Sequence, residues 1–237
     1  MNGLIGLGGV LAILLVLGIG IGLFDRQRFS LGWLIVAALL VVMNDILLTN
    51  AYGLLPDFIG GTKNWQGKLL ALGAILAVAT LPTFGWAICG LGISQEPGSL
   101  KATMPVAALY CAFFVAIALA FPDGRATAEE TAFQLTMPGL AEEPCYRGVL
   151  LFALNQAFRA RKRIFGVDWG WGAVLSCFLF GMDHAFGFSH GHFSFDAITM
   201  ALTAIPAFIA VWVRLRTGSL LLPVLLHNFG NSFSLLA

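Results

Sequence analysis

Charge is what this sequence lacks. Asp, Glu, Lys and Arg together make up only 11% of its 237 residues, where roughly 25% is usual in soluble domains. Too little polar surface remains to cover a water-soluble fold, so lipid is the expected solvent. The few charges nearly cancel, at a formal +1, and no basic run interleaves with aromatics, which excludes a nucleic-acid surface. Cysteine is sparse too. Cys89, Cys111, Cys145 and Cys177 lie in apolar stretches with none at metal-ligand spacing. They read as small buried hydrophobes rather than a disulfide or zinc framework. Met1–Leu4 carries no positive charge and the first apolar run is long enough to span, so no cleaved signal peptide is expected. No internal repeat argues for an inverted-repeat transporter, and no His-Glu-x-x-His is present.

Long apolar runs are what the chain has in abundance, with 59% hydrophobic residues. They fall at Leu4–Phe24, Leu31–Leu48, Leu69–Ile93, Met104–Phe121, Pro138–Phe158, Trp169–Phe188, Phe195–Val213 and Leu220–Ala237. A spanning helix needs about 20 such residues, so the expected fold is all-α, a polytopic transmembrane bundle of about eight spans. Residues 1–237 read as one integral membrane domain, with four N-terminal spans in 1–121 and a functional core in 129–237. Tyr52–Trp65 and Gln95–Gly98, with their Pro, Gly and Asn breakers, read as loops. Loops after odd-numbered spans hold Arg26, Arg28, Lys101, Arg159, Arg161, Lys162, Arg163, Arg214 and Arg216; those after even-numbered spans hold Lys63, Lys68 and Arg125. The positive-inside rule then places both termini outside, with a bacterial inner membrane as the expected location.

Ionisable groups inside a span are costly, about 2.5–3.5 kcal/mol at a helix centre on insertion scales, and mark functional positions. Three clusters qualify. The first, Ala141-Glu-Glu-Pro-Cys-Tyr-Arg-Gly148, is expected to open the fifth span. Glu143 and Arg147 are i,i+4 in the favourable acid-first order, Pro144 suits a first helical turn, and Glu142 points about 100° away from Glu143. Acidic residues at a positive helix end account for the glutamates, but less well for an arginine one turn deeper. The second cluster places Phe180 and His184 on one face near the outer end of the sixth span, with Asp183 on another. The third places His227 and Asn231 on one face of the last span. Each has a structural reading, as a satisfied core histidine or as polar glue between helices. Together they could meet in the outer half of the membrane if Thr136–Leu140 lets the start of the fifth span dip inward. Ser189-His-Gly-His192 reads as a solvated outer loop.

At these residues the sequence resembles the CAAX-protease and bacteriocin-processing (CPBP) family of intramembrane proteases. The pattern Glu142-Glu143-x-x-x-Arg147, then Phe180-x-x-x-His184, then His227-x-x-x-Asn231 occurs in the family's order, and the resemblance covers Ala141 to the C-terminus. It implies proteolysis within the membrane. Glu142 would be the general base that activates water, helped by His184. His227 and Asn231 would stabilise the oxyanion, and Arg147, paired with Glu143, would hold the helix. Cys145 falls at a variable family position and reads as packing. No cofactor is expected, although zinc on Glu142, His184 and His227 stays open. The expected partner is a membrane-anchored protein or peptide cut near its C-terminal or membrane-anchored segment, without nucleic acid. An outward site disfavours cytosolic prenylated tails. A transporter using the buried charges would need polar groups through the whole membrane depth, and a non-catalytic immunity or scaffold protein should lose motif residues; all are present.

Overall fold

The computed structural model describes residues 2–54, 56, 58–121, 126–233 and 235. Leu55 and Asp57 of the first expected loop, Arg125 of the charge count and residues 234, 236 and 237 of the expected last span lie outside the described residues. The chain is an all-α bundle: α1 (Asn2–Phe24), α2 (Leu31–Thr49), α3 (Trp65–Thr80), α4 (Ser99–Ala120), α5 (Ala128–Glu143), α6 (Leu151–Ala157), α7 (Trp171–Ala185), α8 (Ala197–Thr217) and α9 (Leu221–Phe233). A π-helical turn, Pro144–Leu150, joins α5 to α6 in one rod. Two small hairpins complete it, β1 (Lys162–Ile164) with β2 (Val167–Trp169) and β3 (Phe186–Ser189) with β4 (His192–Phe195). In lipid every backbone group must be satisfied within the protein, which helices do on their own. Among the described residues α1, α2, α4 and α8 are long and apolar enough to cross a membrane, with Val16, Leu39, Leu109 and Ile198 on outward faces. The other expected spans form shorter helices or the jointed rod, so helix length alone does not give the count of about eight. Four apolar helices of spanning length support an integral membrane protein.

The rod occupies the centre, with α3 and α9 against its first half and α2 and α7 against its second. Every residue from Glu143 to Leu151 is buried. Its start differs from the expected one. α5 begins ten residues before Pro138, because Thr127 caps it: the Thr127 hydroxyl accepts from the Glu130 N–H at 3.1 Å, in a Thr-x-x-Glu pattern of capping-box type. The glutamate pair therefore lies deep in a helix and does not open one. Thr136–Leu140 stays helical through Pro138, and Asn228 of α9 braces it by accepting from the Gly139 N–H (2.7 Å) and donating to the Thr136 carbonyl (3.1 Å).

The expected span Leu69–Ile93 also ends early, at Thr80. Leu81 precedes proline and is extended, at ψ 138°, and Gly85 and Gly90 take positive φ. The irregular stretch that follows packs under α8 and α9. Arg214 donates to the Ile88 carbonyl (2.7 Å), Ser219 Oγ to the Gly92 carbonyl (2.6 Å), and the Leu220 N–H to the Gly90 carbonyl (2.8 Å).

Both hairpins turn on two residues with positive φ, Phe165-Gly166 and His190-Gly191, as tight hairpins of this twist require. Trp169 and Phe186–Phe188, expected at the ends of the sixth span, and Phe195, expected to start the seventh, are strand residues instead. Ser189–His192 is a hairpin tip rather than an open loop. The loops of the basic group lie together: the Arg159 N–H bonds the Arg28 carbonyl, the Glu96 N–H bonds the Thr217 carbonyl, and Arg216 reaches the Gly166 carbonyl.

Candidate active site

Glu143 and Arg147 face each other within the rod, Arg147 Nη1 lying 3.2 Å from Glu143 Oε1 with side chains 2% and 0% exposed. The guanidinium also sits 4.0 Å over the Phe180 ring, a desolvated cation–π contact. Phe180 in turn meets Tyr146 edge-on at 5.1 Å, His184 at 4.7 Å and His227 at 5.8 Å between ring centroids. One aromatic ring thus packs the motifs of three helices against each other.

His227 lies between the two glutamates. Its Nδ1–H donates to Glu143 Oε1 at 2.7 Å, and its Nε2 is 3.7 Å from Glu142 Oε2. Glu142 Oε1 accepts from the Lys68 ammonium at the start of α3. Glu142 Oε2 is buried and makes no hydrogen bond among the described residues. His184 donates Nδ1–H to the Phe180 carbonyl at 2.8 Å. A carbonyl can only accept, so in the neutral ring Nε2 keeps its lone pair. Glu143, Arg147, Phe180, His184, His227 and Asn231 line one cavity of about 180 Å³, closed by Tyr110 and Phe114 of α4, Thr203, Pro206 and Ala210 of α8, and Pro223 of α9. Glu142 is not among the lining residues; its Oε2 lies 3.7 Å from the Nε2 of His227, which is.

Residues 125–233 match the family described as Type II CAAX prenyl endopeptidase Rce1-like. This match supports the family resemblance read from the three motifs. The Rce1-like stretch runs from just before α5 to the end of α9 and holds all three motifs. It is a protease family, which supports a peptidase embedded in the membrane. No curated protein matches the chain, and no solved structure does.

Sequence reasoning missed two neighbours of the motifs. Lys68, counted there as a loop charge, lies inside α3 and touches Glu142; the signal was its place four residues after Asn64, a good cap residue, with an apolar run behind it. Asn228 was passed over beside His227, although its two backbone bonds fasten α9 to α5. Cys145 is buried core.

Proposed function

We propose that the chain is an intramembrane endopeptidase in which Glu142 is the general base, with residues 1–237 acting as one membrane domain. The observation that carries this reading is Glu142 Oε2: a buried carboxylate oxygen without a hydrogen bond, 3.7 Å from the Nε2 of His227, which lines the cavity. A water at that edge gives its proton to Oε2 while its oxygen attacks the peptide carbonyl carbon. His184, with a free lone pair on Nε2, assists. The negative charge that develops on the carbonyl oxygen is met by Asn231 and by His227, whose ring Glu143 holds at Nδ1. The C–N bond then breaks and the amine leaves with the proton from Glu142. A fixed donor in a water-poor site is worth about 2.7–4 kcal/mol of barrier, and general acid–base catalysis adds about 10²–10⁴-fold.

The zinc alternative needs Glu142, His184 and His227 as ligands. Lys68 places a positive charge against Glu142, where a cation would be repelled, and Glu143 holds His227 Nδ1, which favours the metal-free reading.

The substrate we favour is the membrane-anchored tail of an exported protein. Lys68 in the first turn of α3 and His184 in the last turn of α7 lie at helix ends away from the arginine-rich loops, and the positive-inside rule turns those loops inward. The family description names prenylated CAAX proteins, so both classes belong in the test. Purified protein is offered a quenched-fluorescent farnesylated CAAX peptide and a quenched-fluorescent peptide with a single transmembrane anchor. Glu142→Gln and His184→Ala should each lose at least about 10²-fold in kcat, with wild-type activity surviving a chelator. Undiminished cleavage by Glu142→Gln would refute the assignment of the base, and chelator loss restored by zinc would replace it with the metal reading.

A further inference from the structure

We propose that Lys68 is a positioning residue for the peptidase reaction, supplied by a helix outside the segment that matches the protease family. The inference rests on the reading of Glu142 as base. Lys68 is the one residue that hydrogen-bonds the Glu142 side chain among the described residues, and it takes only Oε1. The opposite oxygen is left bare on the side of His227, which lines the cavity. A carboxylate without this contact could rotate either oxygen inward or turn away. With it, one oxygen is tethered and the other presented. The ammonium is also the counter-charge of a carboxylate whose side chain is only 15% exposed, and Lys68 is itself only 12% exposed. A buried charge left without its partner is the costly case.

The lysine is aimed by tight local structure. Asn64 caps α3, its Oδ1 accepting from the Gly67 N–H at 2.9 Å, and its Nδ2 donates to the Leu48 carbonyl at 2.7 Å, which ties the first turn of α3 to the end of α2. A Cβ on Gly67 would stand 2.6 Å from that same carbonyl, so the two helices touch backbone to backbone here. On the other side, Trp65 packs edge-on against Phe133 of α5 at 5.1 Å and donates Nε1–H to Glu129 at 3.3 Å. The first turn of α3 is therefore docked on both α2 and α5, and Lys68 reaches Glu142 from a fixed base. A compact ammonium suits single-oxygen contact, whereas a guanidinium fork favours both oxygens of a carboxylate. Arginine here should serve, but less well.

The test uses the full-length protein in detergent and whichever of the two quenched peptides the wild type cuts faster. Lys68→Ala should lower kcat at least about tenfold while KM changes little, since a base acts in the chemical step. Lys68→Arg should keep more activity than Lys68→Ala. Added n-propylammonium, which restores a free amine in the space of the lost side chain, should raise the Lys68→Ala rate several-fold and leave wild type and Glu142→Gln unchanged. A merely structural salt bridge would not respond to the amine. Three results overturn the inference. Lys68→Ala cutting at the wild-type rate removes Lys68 from the reaction while Glu142→Gln, if inactive, keeps the base assignment intact. A slow Lys68→Ala improved neither by arginine nor by the amine makes the lysine structural only. A wild type that cuts neither peptide removes the peptidase reading and the role of Lys68 with it.

Discussion

Replacing Arg147 by Met removes a charge from the most enclosed ion pair of the protein and leaves its partner behind. Glu143 is fully buried, and without the arginine only His227 Nδ1 addresses its carboxylate. Breaking a buried pair on one side costs about 3–5 kcal/mol, and the lost contact with the Phe180 face adds about 1–2 kcal/mol when desolvated. Met fills much of the same volume, so the loss is electrostatic rather than a cavity. The second replacement, Glu143→Gln, keeps an oxygen for His227 and removes the stranded charge. The double variant Glu143→Gln/Arg147→Met should therefore be more stable than Arg147→Met alone by at least about 2 kcal/mol, because exchanging a whole buried pair for neutral groups is often tolerated. Reversible unfolding in mixed micelles, followed by tryptophan fluorescence over a denaturing-detergent titration, gives the four free energies of the cycle. A coupling energy within about 0.5 kcal/mol of zero, the range for independent sites, would refute the claim that Arg147 serves to hold Glu143.

Three further outcomes concern Asn228, Gly139 and Asp196. Asn228→Ala should cost about 1–3 kcal/mol in the same unfolding assay, since it strips the Asn228 oxygen from the buried Gly139 N–H. Gly139→Ala should behave similarly, because its Cβ would stand 2.6 Å from the Val224 backbone oxygen, which cannot turn aside. Asp196, outside the membrane-spanning helices, caps α8. The Thr199 hydroxyl at 2.8 Å, helped by the N–H groups of Thr199 and Ile198, holds its carboxyl below the usual range. A depressed carboxyl stabilises above its unfolded pKa and loses that contribution as pH falls, here below about pH 4. Hydrogen exchange at Ile198 and Thr199 should accelerate over that window in wild type and show no such step in Asp196→Ala.

The all-α class was legible because apolar runs in lipid leave the backbone little choice, and the Glu143–Arg147 pair was legible because i,i+4 spacing is local. Helix boundaries were less so. Hydropathy sees Leu69–Ile93 as one run, yet Pro82 and two positive-φ glycines end the helix at Thr80, and the carbonyls so released are taken up by Arg214 and Ser219 from far along the chain. The start of α5 was missed for the opposite reason: Ala128–Gln134 is too polar to read as a span, and its helix depends on a Thr127 cap and on Glu129 and Glu130 bonding Thr62 and Lys63. Which groups touch Glu142 is a tertiary fact. Nothing in the spacing of three motifs points to a lysine 74 positions away.

The π-helical turn at Pro144–Leu150 bears on how this sequence can change length. Pro144 has no N–H for the carbonyl four residues back, and the widened turn absorbs one residue more than an α-turn would. Everything before it, the two glutamates included, is thereby rotated by about 100° relative to an uninterrupted helix. The orientation of the candidate site is thus a matter of phase as well as of composition. A deletion of one residue just after Arg147 would leave Glu-Glu-x-x-x-Arg readable in the sequence, yet let the rod relax and swing the carboxylates off α3 and α9. Among related chains, a gap at this point would signal a lost site even where every motif letter survives.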